Sequence, residues 1–160
     1  MENNKTNVLQ ALEHLNIPYD LTEHPAVYTI DEMRDLNLFE LGTVCKNLFL
    51  RDQKGKKHFL VVASPDKKTN LKEIEEVLES GKLSFASEER LLKFLGVSTG
   101  AVSPLAVINN DKSVTLVIDK DLDSTKKLGV HPNDNTATVW LTYEDLLKFI
   151  EHHGNTITFL

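Results

Sequence analysis

Three short groups of residues in this chain can do chemistry. Gly96, Gly100 and Pro104 stand four residues apart in Gly96-Val97-Ser98-Thr99-Gly100-Ala101-Val102-Ser103-Pro104. His131 stands beside Pro132 at the head of a polar stretch, Asn133-Asp134-Asn135-Thr136. Lys46 and Asn47 interrupt an apolar run, Val44-Cys45-Lys46-Asn47-Leu48-Phe49-Leu50. Together they suggest a pocket built from backbone amides, a cation and a few polar side chains.

On a helix the Gly-Gly-Pro spacing would align one face, as in membrane helix dimers. Pro104 opposes a helix and the stretch is rich in Ser and Thr, so a loop is expected. Glycines in a loop permit positive φ and let a ligand approach the backbone closely. Their N–H groups can bind an anion or a developing oxyanion. A plain helix cap at Gly96 followed by turns accounts for the same spacing.

Two readings also stand for each polar side chain. On an alternating strand Val44, Lys46, Leu48 and Leu50 share a face. A buried lysine there needs a partner or a ligand, whereas a lysine at a sheet rim can snorkel. Pro132 holds His131 in extended conformations, where it can donate a hydrogen bond, order a water or simply be solvated. His24-Pro25 has the same form. His152-His153 suit the end of a helix electrostatically and are given no function.

Other chemistries find little support. One cysteine and no convergent Cys/His spacing leave no basis for a metal site. There is no Gly-x-Ser-x-Gly elbow, Walker or Rossmann pattern. Cys45 alternates with Lys46 and is expected to pack in the core.

The elements that must position these residues follow from periodicity and caps. Residues 5–16 read as a helix with Val8, Leu9, Leu12 and Leu15 on one face, ended by Pro18. Residues 43–51 and 58–64 read as strands joined by the turn 52–57. Asn70 caps a helix to about Glu79, stopped by Ser80-Gly81. Ser87 caps a helix over 88–94 that Gly96 closes. Residues 105–109 and 114–119 read as strands around Asn110-Asp111, and 136–141 as another. Thr142-Tyr143-Glu144-Asp145 opens a last helix, and 156–160 adds an edge strand. Without regular βαβ alternation, an α+β fold with a mixed sheet is expected.

The chain has 160 residues and a net charge of −6. One domain over residues 1–160 is expected. The acidic balance opposes indiscriminate nucleic-acid binding. Lys54, Lys56, Lys57 and His58, Lys67-Lys68 and Lys126-Lys127 form local basic groups, read first as solvated turns. A single cysteine excludes an intrachain disulfide and fits a reducing cytoplasm. The polar start Met1-Glu2-Asn3-Asn4-Lys5 lacks a secretory apolar region, and no apolar run reaches transmembrane length.

Lys46-Asn47-Leu48-Phe49, then Gly96-x-x-x-Gly100-x-x-x-Pro104, then His131-Pro132 with Asn135-Thr136 resembles the YbaK/ProX family of aminoacyl-tRNA editing domains. The likeness covers nearly the whole chain and is greatest for the free-standing ProX type, the alanyl-tRNA(Pro) deacylases. The resemblance implies a strongly curved, mixed β-sheet flanked by helices. It implies hydrolysis of the ester joining a wrong amino acid to tRNA(Pro), with no cofactor. Prolyl-tRNA synthetase mischarges alanine because a proline pocket cannot strongly reject a smaller side chain.

By the same resemblance, Lys46 fixes the terminal adenosine phosphate or ribose. Gly100 and Ala101 present amides to the ester carbonyl. His131 lines the amino-acid pocket or orders water. Asn47 stands where cysteinyl-tRNA(Pro) deacylases usually carry Thr. Tyr28, Thr29, Ile30, Gly96, Ser103, Pro104 and Asn135 are further substrate-binding candidates. No general base emerges, and the substrate's ribose hydroxyl is expected to help activate water. The implied partners are the tRNA(Pro) acceptor end, with basic groups at Lys54/Lys56/Lys57 and Lys67/Lys68 for phosphates, and prolyl-tRNA synthetase as a docking partner. A cysteinyl-tRNA(Pro) deacylase, a silent tRNA-binding module of the same fold and a small-molecule ester or amide hydrolase are the alternatives.

Overall fold

Polar caps ahead of apolar repeats divide the chain into its elements. The computed structural model describes residues 4–122 and 126–160. Residues 1–3 of the polar start lie outside the described residues. In order the elements are α1 (Asn4–His14), β1 (Asp20–Glu23), α2 (Ile30–Asp35), β2 (Thr43–Val44), β3 (Lys46–Asp52) and β4 (His58–Ala63). Then come α3 (Leu71–Leu78), β5 (Leu83–Phe85), α4 (Glu88–Leu95), β6 (Val114–Ile118), β7 (Leu128–Val130), β8 (Ala137–Leu141), α5 (Tyr143–His153) and β9 (Ile157–Phe159). Among the described residues no helix is long and apolar enough to cross a membrane.

The expected caps are in place. The side chains of Asn70, Ser87 and Thr142 accept hydrogen bonds from the N–H groups of Lys72, Arg90 and Asp145. Each supplies an acceptor to a donor the helix cannot satisfy itself. Gly96 closes α4 at φ 65°.

The α+β architecture holds, with the strands distributed over two mixed sheets. One has the order β1-β8-β7-β2, and the other β5-β3-β4-β6-β9. In the first, only β2 and β7 run parallel. In the second, β4, β6 and β9 run parallel while β3 and β5 oppose their neighbours.

Three apolar clusters tie the layers together. The largest joins Phe49, Leu60, Val62, Leu116 and Ile118 of one sheet to Leu128, Val130, Val139 and Leu141 of the other, under helices α1, α4 and α5. The opposite face of the five-stranded sheet (Leu50, Phe59, Val61, Ala63) is covered by Ile74 of α3. Trp140, Val44, Met33, Val27 and Leu38 form the third cluster beneath α2.

Some expectations are corrected. Residues 104–109 form a 3-10 helix, not a strand. Pro104 begins it and the Ser103 hydroxyl accepts from Leu105 N–H. Pro104, Leu105, Ala106 and Val107 are all buried, so an apolar run gave no period to separate helix from strand. Helix α3 ends where expected, but its cap is Glu79 in a left-handed conformation at φ 51°, not Ser80-Gly81. Strands β1, β5 and β7 and helix α2 are too short or too polar to announce themselves by periodicity. His58 is not a solvated turn residue but is 2% exposed. Its ring lies between Phe49 and Phe94, and Nε2 accepts from Arg90 at 3.1 Å. Burial, then the Arg90 charge, holds its pKa below the ordinary histidine value.

The Glu79 cap yields a prediction. A side chain in the left-handed region is strained where glycine is not. Glu79→Gly should stabilise the protein by up to about 1 kcal/mol, net of the added freedom of the unfolded chain. Thermal unfolding should then shift upward by roughly 2–4 °C. A lower midpoint would show that Glu79 contributes more than its backbone costs.

Candidate active site at the junction of the sheets

The cavity that gathers the chemical residues lies where one strand leaves one sheet for the other. Cys45 N–H donates to the Gly129 carbonyl at 3.0 Å, alongside β7. The next residue, Lys46, already pairs with Ala63 in the five-stranded sheet. A cavity of about 150 Å3 opens at this divergence, lined by Lys46, Asn47, Gly100, His131, Tyr28, Thr29 and Ile30, among others. Val27, Met33, Val44, Val102 and Val130 give it apolar walls.

Lys46 is half-buried, and its Nζ donates to the Lys67 carbonyl at 2.7 Å. An ammonium has three donors, so donors remain for a ligand. Asn47 Nδ2 reaches the Cys45 carbonyl at 3.5 Å. Its Oδ1 is buried with no partner among the described residues. Such an unpaired acceptor is costly unless a ligand or water meets it.

His131 is fixed by its own strand pair. Nδ1 lies 2.9 Å from the Ala137 carbonyl. A carbonyl only accepts, so Nδ1 carries the proton and neutral His131 presents Nε2 as an acceptor. Burial pushes its pKa below the ordinary value against the Ala137 bond, and His24 adds to the depression. The His24 ring is 6.2 Å away. His24 Nδ1 donates to the Pro25 carbonyl at 2.9 Å, and its Nε2 accepts from the Thr138 hydroxyl at 2.8 Å. His24 is thus a braced residue, not a solvated one.

Gly100 sits in the short 3-10 turn Thr99–Ala101. Its N–H has no hydrogen-bond partner among the described residues. A Cβ here would lie 2.7 Å from Tyr28 Cδ1 and 2.8 Å from Asn135 Nδ2. Both contacts are too close, so a side chain here would have to displace Tyr28 and Asn135. Thr29 caps α2 by accepting from Glu32 N–H, while Tyr28 N–H donates to the Glu32 carboxylate at 3.0 Å. That pair orients the Tyr28–Ile30 side of the cavity.

The remaining candidates lie elsewhere. Ala101 N–H donates to the Ser98 carbonyl at 3.0 Å, so it is not a second free amide, contrary to expectation. Gly96 caps α4 and its carbonyl accepts from Asn4 at 3.0 Å. Ser103 and Pro104 are buried at the start of the 3-10 helix. Asn135 stands behind the wall, donating to the Val27 carbonyl at 2.9 Å. Of the four-residue spacing, only Gly100 lines the cavity.

Several lining residues escaped the sequence reading. Thr138, fully buried in an otherwise apolar strand, carried a legible signal as a buried polar group. Val27, Met33, Gly129 and Thr99 arrive by tertiary contact and carried none. Among the basic groups, Lys67 is ion-paired with Asp119 and Asp121. The Lys54/Lys56/Lys57 turn lies beyond the far end of β3 from Lys46, roughly 20 Å away at ~3.3 Å per residue.

Comparison with known proteins adds to this geometry. A family model described as an aminoacyl-tRNA editing domain matches residues 24–149. The chain is 49% identical over 153 residues to the prolyl-tRNA editing protein ProX of Acetoanaerobium sticklandii, covering 95% of this chain and 93% of that one. It is 37% identical over 150 residues to prolyl-tRNA synthetase associated domain-containing protein 1 of Bos taurus, covering 91% and 88%. The fold matches the crystal structure of a candidate trans-editing enzyme for prolyl-tRNA synthetase with a TM-score of 0.76 at 21% identity, over 98% of this chain and 96% of that one.

Cys45 also lines the cavity but is only 4% exposed. Burial, then the Asp119 charge, pushes its thiol up to about 12. The thiolate is the nucleophile, so this sulfur is inert near neutral pH. At pH 8 a chromogenic disulfide reagent should label this single thiol only as fast as the protein unfolds. Prompt labelling of the native protein would place a reactive thiolate in the cavity.

Proposed function

Because the chain belongs to the aminoacyl-tRNA editing domain family, we propose that it acts in trans as a hydrolase clearing mischarged alanine from tRNA(Pro). The observation that carries this reading is the convergence of Lys46, Gly100 and His131 on one small cavity with apolar walls. At about 150 Å3 the cavity is well below the roughly 300–1,000 Å3 of a pocket enclosing a drug-sized ligand. It suits the aminoacyl end of a substrate whose remainder lies outside.

Attraction alone discriminates poorly between small side chains, since one methylene is worth only about 1–3 kcal/mol. Rejection of proline therefore falls to the walls formed by Val27, Ile30, Met33 and Val102. The Gly100 N–H donates to the ester carbonyl oxygen and stabilises the oxyanion. One such donor is worth about 3 kcal/mol in a transition state. Lys46 keeps donors for the terminal phosphate or ribose. Neutral His131 accepts at Nε2 and orders the attacking water.

Water adds to the carbonyl carbon, and the tetrahedral intermediate expels the ribose oxygen. The vicinal ribose hydroxyl relays the proton from water to that leaving oxygen. The products are free alanine and uncharged tRNA. The implied partners are the tRNA(Pro) acceptor end and prolyl-tRNA synthetase, in the cytoplasm. With Lys67 held by two carboxylates, Lys68 and the Lys54/Lys56/Lys57 turn are left for phosphates.

Purified protein should deacylate Ala-tRNA(Pro) and leave Pro-tRNA(Pro) charged. Lys46→Ala should lose at least a hundredfold in kcat/KM. Gly100→Ala should lose at least tenfold, because its methyl displaces Tyr28 and Asn135. Preferential loss of cysteine would move the substrate to Cys-tRNA(Pro), and no loss from any of them would overturn the hydrolase reading.

The water-activation step has its own check. A tRNA ending in 2′-deoxyadenosine should be deacylated at least a hundredfold more slowly. Unchanged turnover would remove the ribose hydroxyl from the mechanism.

A further inference from the structure

We infer that Asp119 is a positioning residue that sets the place of Lys46 through the turn at Ser64–Lys67. The inference rests on the reading of Lys46 as the cation that fixes the substrate.

Asp119 follows β6, and its side chain has no exposed surface. Among the described residues it is the only buried carboxylate. A buried charge is held only where it is paired and hydrogen-bonded, and this one is. Oδ2 accepts from Ser64 N–H at 3.2 Å. Oδ1 accepts from Asp121 N–H at 2.9 Å and from the Lys67 ammonium at 3.0 Å. One carboxylate therefore grips both ends of a four-residue turn that Lys67 N–H closes onto the Ser64 carbonyl at 3.2 Å.

The turn has a second contact. The Lys67 carbonyl accepts from Lys46 Nζ at 2.7 Å. Lys46 forms no ion pair among the described residues, so this carbonyl is its anchor. A lysine stem has four rotatable carbons, and its charge is only as well placed as what it rests on. Asp119 holds Lys67, and Lys67 holds Lys46. The carboxylate stays out of the cavity lining, so it organises the cation without neutralising it.

A carboxylate that only supports the fold would cost activity with or without Lys46. One that acts through Lys46 would not. Asp119→Asn keeps the shape and removes the buried one of the two charges that hold Lys67, leaving only the exposed Asp121 at 3.3 Å. Its kcat on Ala-tRNA(Pro) should fall about tenfold, with KM changed by less than about twofold. In a Lys46→Ala background the same substitution should cost nothing further. A second readout needs no activity: the rate of Lys46 acetylation by a dilute anhydride, followed by mass spectrometry. That rate should rise severalfold in Asp119→Asn, with Lys148 unchanged.

Losses that add across the two backgrounds, or an unchanged Lys46 acetylation rate, would overturn the inference. If Asp119→Asn does not fold, Lys67→Met carries the same two assays, since it keeps the carbonyl and removes the ammonium. A wild-type protein inactive on every charged tRNA would defeat the editing reading alone. The acetylation rates would still decide whether Asp119 positions Lys46.

Discussion

Between Val44 and Lys46 the backbone has to leave one sheet and join another. Cys45 is the pivot, still bonded to Gly129 in the first sheet while its neighbour pairs with Ala63 in the second. The side chains on either side serve different cores. Val44 packs against Trp140, Cys45 and Phe49 against the main interior, and Leu48 and Leu50 against the α3 side. Where two hydrogen-bonded ladders diverge, neither fills the wedge between them. The cavity is that wedge; Lys46, Asn47 and His131 come from strand ends, and Gly100 from a 3-10 turn. Groups on such rigid supports hold their geometry better than groups on free loops.

The electrostatics of the wedge divide cleanly. Lys46 contributes a cation resting on a carbonyl, His131 a neutral ring with Nε2 left as an acceptor, and Gly100 a backbone amide that its own turn does not use. Cys45 contributes only volume, since its thiol stays protonated. Apolar walls lower the local dielectric and strengthen each of the polar contacts. Asp119, the one buried carboxylate among the described residues, is bound to backbone and to Lys67 rather than to Lys46.

The parts of the fold that were legible are those written locally. Asn70, Ser87, Thr142 and Gly96 mark helix ends because capping depends on one residue and its own turn. Residues 104–109 misled because the apolar run 104–108 has no face to show. The same division runs through the site. Lys46, Asn47, Gly100 and His131 stood out by type and context, Tyr28–Ile30 only through the family resemblance, and the structure gathers them around one cavity. Ala101, Gly96, Ser103 and Pro104 shared the loop's sequence but not its geometry, because a 3-10 turn and a helix cap engaged their backbone. Asp119 needed contacts across 52 or more positions of chain, which no local pattern encodes.

Gly129 lines the cavity, and the indole of Trp140 lies directly behind it, within 2.6–3.0 Å of where a Cβ would stand. The chain has one tryptophan, and this ring is 2% exposed with its Nε1 donating to Thr22 at 3.1 Å. The molecule therefore carries a native fluorophore against the back of its own site. A change in the wedge beside Gly129 should alter its emission, with no label attached and no second indole to confuse the signal.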